Sequence, residues 1–347
     1  MVAAGFDCLI DLASQAIMGL FPVLAALPRI RRWFRLAVDE LERFRPHALV
    51  LVDYPGFNLR LAARAKRLGI PVLYYVSPQV WAWNRSRIKK IARSVDRLLV
   101  ILPFEEEAYR GSGLDVRYVG HPSVDHVARS RDAALLRRES YGPGAPRIGV
   151  FPGSREHVVR ALWPVFKQVI DHVAARRPDA TFVVAAASER LASIIRELGL
   201  PTAAKTSVAA DDSGSVMAWS DACLTTSGTT TIELALWRRP MVLAYQVSAL
   251  LWIIGRRVVK VPFIGLVNLI AGRRVVPEHV GNKLNPGAIA ADLDRLLDDG
   301  PDRTAMLGGL DEVVAKLGPP GGYARAAAAI AAFLHERTAA APAVGED

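Results

Sequence analysis

Cysteine is almost absent: the 347-residue chain holds two, Cys8 and Cys223. They lie far apart in apolar surroundings and neither belongs to a CxxC pair. The sequence therefore predicts two buried, free thiols of a reducing compartment, with no disulfide. No HExxH occurs, so no protein-held metal is expected. A GxGxxG fingerprint is missing, which argues against a dinucleotide dehydrogenase. No helix-turn-helix, RRM or zinc-finger pattern is present, which argues against a nucleic-acid partner. Long apolar runs are missing too. The stretch "PMVLAYQVSALLWIIG" (240–255) falls short of the roughly 20 residues that span a bilayer, and Arg256, Arg257 and Lys260 follow it. Near the N-terminus, Asp7 and Asp11 interrupt the apolar run and no basic segment precedes it, so no signal peptide is expected. The expectation is a cytoplasmic protein.

Acid is in deficit. Lys and Arg number 44 against 34 Asp and Glu, a net charge of +10. Such an excess favours anionic partners. The basic residues gather in three groups: Arg29, Arg31, Arg32 and Arg35; Arg85, Arg87, Lys89, Lys90 and Arg93; and Arg256, Arg257 and Lys260. The first and third interleave with Leu, Trp, Phe and Ile. Charge beside exposed apolar side chains suits an anionic membrane surface better than DNA; a solvated basic face is the plain alternative.

What the chain does have is a βαβ rhythm. "ALVLVDY" (48–54) reads as a parallel strand buried on both faces. "RLAARAKRLG" follows as a helix ending in glycine. "IPVLYYVS" (70–77), "DRLLVILP" (96–103) and "VRYVGHP" (116–122) are further strands with helical segments between them. The Pro/Gly-bearing stretch 129–146 reads as a linker. The rhythm then restarts with "RIGVFPGSRE", "ATFVVAAAS", "DACLTTSGTTTIELALW" and "RPMVLAYQ". The expectation is an α/β chain of two doubly wound, Rossmann-like domains facing a cleft. Residues 1–143 form the first domain, 144–337 the second and 338–347 a tail.

Two strand-to-helix turns in the second domain are rich in small polar residues. Helix starts offer unpaired N–H groups and a partial positive charge, which bind phosphates. In "TTSGTTTIELA" (225–235), Ser227, Gly228 and Thr229 let backbone donors approach a diphosphate. Glu233, one turn on, suits ribose hydroxyls; a Ser/Thr cap beside a fortuitous acid is the alternative. In "FPGSRE" (151–156), Ser154 lies in the turn and Arg155 can fork onto a leaving diphosphate. In "LVDYPGFN", Asp53 ends a strand where a carboxylate is costly unless capped or functional, and facing a cleft it can serve as a general base. Trp81 and Trp83 precede a basic helix and fit either an interfacial anchor or core packing. His121 in "GHP" is structural or a cleft residue.

Taken together, "VDYPGFN", "YYVSPQVWAWNRSRIKKIARSVDRLLVILPFE", "YVGHPSVD", "FPGSRE", "TTSGTTTIELAL", "PMVLAYQVS" and "NLIAGRRVVPE" resemble the lipid-A-disaccharide synthase family in order and spacing, over most of residues 1–295. The resemblance implies a metal-free, cofactor-free glycosyltransferase of the GT-B type. It would join UDP-2,3-diacylglucosamine to 2,3-diacylglucosamine 1-phosphate with inversion, releasing UDP. The implied place of work is the cytoplasmic face of the inner membrane. Asp53 and Arg155 match the family's catalytic residues. Ser227, Gly228, Thr229 and Glu233 match its UDP-binding turn. Asn268, Arg273 and Glu278 match a late segment that resembles the donor-binding region. The acyl chains would rest near Trp81, Trp83 and Leu250–Ile254. Some members dimerise through exchanged C-terminal segments, which leaves a homodimer open.

Two departures stand out. Many members read "DAPDFN", where this chain has Tyr54-Pro55-Gly56, so a second acid is missing. Members also open with a strand, a "GExSGD" loop and a helix that this sequence lacks. Because the residues of the chemistry are kept, a start placed too late is favoured over a shortened, inactive copy. The rivals are another UDP-GlcNAc-using GT-B enzyme and a non-catalytic UDP- or membrane-binding remnant.

Overall fold

The computed structural model describes residues 5, 7–9, 27–83, 86–202, 204–259 and 261–339. Among them, ten strands form two parallel sheets. In the first sheet β1 (Leu49–Val52), β2 (Val72–Tyr75), β3 (Arg97–Val100) and β4 (Asp115–Tyr118) stand side by side in chain order. Side chains alternate across the pleat. Val72, Tyr74, Leu98 and Val100 pack beneath the helices Leu27–Phe44, Pro55–Arg67 and Arg87–Ser94. Leu73 and Leu99 point to the opposite face.

The second sheet contains β5 (Arg147–Phe151), β6 (Thr181–Ala186), β7 (Lys205–Ala210), β8 (Ala222–Thr225), β9 (Met241–Gln246) and β10 (Glu278–Gly281), in the order β10-β9-β8-β5-β6-β7. The chain enters at β5, builds outward to β7, then crosses back to lay β8 on the other side of β5. Phe151 and Thr225 end up paired in register. The loops leaving β5 and β8 therefore diverge side by side at the carboxyl edge, where doubly wound sheets form their ligand crevice. The core beneath is the larger of the two, with Trp163, Phe166, Phe182 and Trp219 all buried. Each such side chain contributes about 1.5–3 kcal/mol by burial.

Two helices cross between the sheets. Pro122–Arg137 leaves β4 but seats Val124, Val127 and Ala134 in the second core. The stretch 129–137, expected to be linker, is thus the far half of a helix, extended by a 3-10 turn Arg138–Tyr141. The last helix, Gly322–Ala339, returns to the first sheet, with Ala326 and Phe333 packed on Leu73, Leu99 and Val119. Residues 322–337, expected with the second domain, thus pack on the first sheet. An apolar stripe identifies a helix as core-facing without saying which core it faces.

Two further expectations fail. Strand β1 is not buried on both faces: Leu51 is buried, but Val50 and Val52 are 39% and 54% exposed. Among the described residues it is an edge strand, and its second face is only partly covered. Cys223 is buried as expected, whereas Cys8 is exposed, and both thiols are free. Burial pushes the Cys223 thiol up to about 12, which keeps it protonated.

The returning helix is held by Arg97. Its Nε donates to Asp115 at 2.6 Å, its Nη2 donates to Glu336 at 2.7 Å, and its guanidinium lies 5.1 Å from the Phe333 ring centroid. Asp115 and Glu336 are each more than a third exposed and regain water when Arg97 is removed. Arg97→Ala is therefore expected to cost about 1–2 kcal/mol, mostly lost packing and cation–π contact. Hydrogen exchange should quicken in 322–339 and stay unchanged in helix Ser213–Trp219. Uniform acceleration would show that Arg97 does not act locally.

Candidate active site

The turn after β8 is fixed from inside. Gly228 has φ +140, a conformation that L side chains rarely adopt, and open space where a Cβ would stand. Its carbonyl accepts the Thr231 hydroxyl at 2.8 Å, and Ser227 Oγ donates to the Ile264 carbonyl at 3.1 Å. The turn after β5 sits against it: at Gly153, φ +115, a Cβ would meet Val158 at 3.0 Å and Thr226 at 3.2 Å. These close approaches bring Ser154, Arg155, Ser227, Gly228 and Thr229 into the wall of one cavity of about 460 Å³.

Gln79, Trp81 and Ala82 of the first domain close its other side. Trp81 is buried and immobilised. Its Nε1 donates to Glu105 at 3.0 Å, and its ring meets Phe104 edge-on at 4.7 Å. Glu105 is itself buried; burial raises its pKa, while the Leu102 N–H, the Trp81 indole and the Ile101 N–H oppose that rise. Trp81 thus packs as core while presenting one edge to the cavity. The Trp83 side chain and residues 84 and 85 lie outside the described set. Trp81, Val261, Phe263 and Leu269 also line a second cavity of about 580 Å³, which Glu107 and Arg110 border as well.

Behind the phosphate-type turn stand two of the late-segment residues. Asn268 is fully buried. Its Nδ2 donates to the Val276 carbonyl and to Glu278, and its Oδ1 accepts the Val275 and Val276 N–H groups at 2.7 and 2.9 Å. Glu278 accepts the Ile264 and Gly265 N–H groups at 3.0 and 2.9 Å. Together they hold the strand of chain whose Ile264 carbonyl anchors Ser227. Their polar groups are engaged by the protein itself, which makes them supports of the turn. Arg273 is not brought to the cavity. It is exposed and pairs with Glu312 at 2.8 Å on the helix Pro301–Leu317.

Glu233 faces the first domain. It is largely buried and accepts the Ser123 hydroxyl at 3.2 Å. Burial raises its pKa, opposed by His126 and by the Ser123 hydrogen bond. Ser123 opens the crossing helix, and the imidazole of His121 caps that start by accepting the Ser123 N–H at 3.1 Å. His121 is therefore a cap at the domain junction, one residue removed from Glu233's partner. The sequence reading missed Ser123; its only signal is its place after "GHP", the Pro at the first helical position and the cap before it.

Asp53 lies at the carboxyl edge of the first sheet, its N–H bonded to the Tyr75 carbonyl at 2.9 Å. Its side chain is exposed and outside the wall of the 460 Å³ cavity. Asp53 and Tyr54 both adopt left-handed backbone, φ 47 and 45, and so does Val76 after β2, φ 66. For tyrosine and a β-branched residue this is strained, and such strain gathers at functional edges. The Asp53 carbonyl accepts from Tyr74 Oη at 2.5 Å and from Asn58 Nδ2 at 2.8 Å, which locks the turn and frees the carboxylate outward. Among the described residues no group of three His, Cys, Asp or Glu is spaced to hold a metal ion.

A family model described as lipid-A-disaccharide synthetase matches residues 1–313. Lipid-A-disaccharide synthases of Syntrophotalea carbinolica and Anaeromyxobacter dehalogenans are 41% and 42% identical, covering 97% and 93% of this chain and 86% and 85% of theirs. That of Geobacter sulfurreducens is 39% identical over 96% of this chain and 87% of its own. Among solved structures, a UDP co-structure of MnaA from S. aureus gives TM-score 0.60 at 12% identity, covering 88% of this chain and 79% of that one. A UDP-GlcNAc 2-epimerase from Neisseria meningitidis bound to UDP-GlcNAc gives 0.56 at 12% identity, covering 88% and 82%. At this distance the likeness concerns the fold, which is of the GT-B type.

His121 gives a pH signature. Burial lowers its pKa to about 4 from an ordinary 6.5. Between those values the unfolded chain binds the proton and the folded one does not. The stability it confers is complete above the unfolded value and drains away as pH falls toward the folded one, on the order of 3 kcal/mol in all. His121→Asn retains a capping acceptor and should flatten that limb in urea midpoints measured against pH. An unchanged limb would remove His121 from the acid response.

Proposed function

The chain belongs to the lipid-A-disaccharide synthetase family, and from that premise we propose that it joins UDP-2,3-diacylglucosamine to 2,3-diacylglucosamine 1-phosphate. The products are lipid A disaccharide 1-phosphate and UDP. The observation that carries the reading is the pair of turns at the β5/β8 switch point, opening on a cavity walled by both domains. The diphosphate lies against Ser227–Thr229 and the start of the helix Thr230–Leu236, with Arg155 forking onto the leaving oxygens. Glu233 takes the ribose hydroxyls, exchanging its bond with Ser123 for them. Trp81, Phe104, Val261 and Phe263 in the adjoining cavity and the exposed Leu250, Leu251 and Ile253 offer apolar surface for acyl chains.

The acceptor 6-hydroxyl gives its proton to Asp53, and the oxygen attacks the anomeric carbon from the face opposite UDP. The new C–O bond forms as the bond to the β-phosphate oxygen breaks, with that electron pair leaving on UDP. Inversion follows from a base on one face and an anion stabiliser on the other. Asn268 and Glu278 keep the Ser227 turn in place and touch no substrate.

Asp53→Ala is expected to lower turnover by roughly 10²–10⁴-fold with UDP binding by calorimetry intact. Undiminished disaccharide formation excludes Asp53 as base. A ribose-binding Glu233 must be ionised, and its pKa lies above the ordinary carboxylate range. UDP affinity should therefore weaken on acidification before pH reaches the roughly 4.3 of a free glutamate, and Glu233→Gln should weaken binding and erase that dependence. A full pH dependence in the variant counts against the assignment.

Peripheral attachment to the inner membrane is part of the same reading. Among the described residues no helix is long and apolar enough to cross a membrane. The helix Ala249–Val258 exposes Leu250, Leu251, Ile253 and Val258, with Arg257 also exposed, a composition suited to an anionic interface. Leu250→Asp with Leu251→Asp should reduce sedimentation with phosphatidylglycerol vesicles; equal sedimentation would move the contact elsewhere.

A further inference from the structure

A third cavity, of about 470 Å³, adjoins the Asp53 turn, between the helices Leu27–Phe44, Pro55–Arg67 and Arg87–Ser94. Its charged lining is entirely cationic: Arg60, Arg67, Arg87 and Lys90. Its floor is apolar, with Phe34, Leu59 and Ile91. The same helices do carry acid-paired cations, which are spent elsewhere: Arg43 on Glu40, Arg64 on Glu42 and Lys66 on Asp96. Among the described residues, no carboxylate lies within ion-pair distance of Arg60, Arg67 or Lys90. The like charges of Arg60, Arg67 and Lys90 around one hollow repel each other, and an anion in that hollow relieves the repulsion. An apolar floor beneath a cationic rim fits an amphiphile that carries a phosphate. Pro55 and Gly56, in the same lining, follow directly on Asp53 and Tyr54.

We propose that this cavity binds the phosphate monoester of the acceptor lipid, so that the sugar hangs from its anchored 1-phosphate toward the Asp53 carboxylate. The assignment rests on the function proposed above for its choice of acceptor. The bare chemistry, a phosphate on a lipid, is shared with membrane phospholipids. Phosphate-to-cation pairs carry the affinity, Phe34 and Leu59 receive the adjoining apolar part, and no bond is made or broken here. Donor and acceptor then have separate cationic anchors, Arg155 for the diphosphate and this cluster for the monoester. That separation orients two chemically similar acylated sugars in opposite roles.

The test uses the full chain in neutral-detergent micelles and measures acceptor binding directly by calorimetry, alongside initial rates. Arg60→Ala with Lys90→Ala is expected to weaken binding of 2,3-diacylglucosamine 1-phosphate about tenfold and to raise its KM alike. UDP affinity and donor KM should stay unchanged. Both side chains are exposed, so folding is not at stake, and Arg67→Gln gives an independent check. The same lipid without its phosphate should bind weakly and equally to the parent and both variants. Unchanged affinity for the phosphorylated acceptor overturns the proposal, as does an equal loss for both acceptors. A loss seen only in sedimentation with phosphatidylglycerol vesicles, with acceptor affinity intact, also overturns it and assigns the cluster to bulk lipid. Acceptor binding that needs the cations without any transfer by the parent would strike the proposed reaction and leave the cavity assignment standing.

Discussion

Parallel pairing of β5 with β8 is the constraint on which the rest depends. It joins two chain segments that are remote in sequence and sends their loops in opposite directions from one edge. The crevice between them exists whatever the loops contain. What suits it to the proposed diphosphate is the content: a glycine at φ +140 with free space before it, hydroxyls, and an arginine just ahead of the helix Glu156–Arg176. Glu278 and Asn268 then hold the loop that fastens Ser227, so the turn is anchored from behind as well as from its own helix. Backbone donors fixed before a ligand arrives need no reorganisation when charge develops.

The two sheets are bound by a reciprocal exchange of helices. One domain lends Pro122–Arg137 to its neighbour, and the neighbour returns Gly322–Ala339. Through this exchange Ser123 reaches Glu233, and that largely buried acid comes to depend on a residue preceding the second sheet. The left-handed residues after β1 and β2 line up on the matching edge of the first sheet, and the cationic hollow begins where that edge turns into its helix. In the proposed reading, nucleotide chemistry is thus concentrated in one domain and acceptor chemistry in the other.

Much of this was legible in the sequence, for physical reasons that differ by element. Buried parallel strands announce themselves as short aliphatic runs, so β2, β3, β5, β6, β8 and β9 could be read directly. Strand β1 has the same composition yet lies at an edge, because hydrophobicity reports no neighbours. Ser154, Arg155 and Ser227–Thr229 could be picked out as turn residues because small polar residues at a strand end mark such turns, and they do share one cavity wall. Arg273 and Glu278 came from one motif, but the first faces solvent and the second the protein interior. A motif preserves spacing and says nothing about which way a side chain points. The crossing of the last helix was invisible for a related reason: its alanines suit either core equally.

That last crossing also has a consequence for biosynthesis. Leu73, Leu99 and Val119 are synthesised more than two hundred residues before Ala326 and Phe333, which cover them. Until that later helix docks, the first sheet has an apolar patch without this cover, a surface through which a growing chain can self-associate.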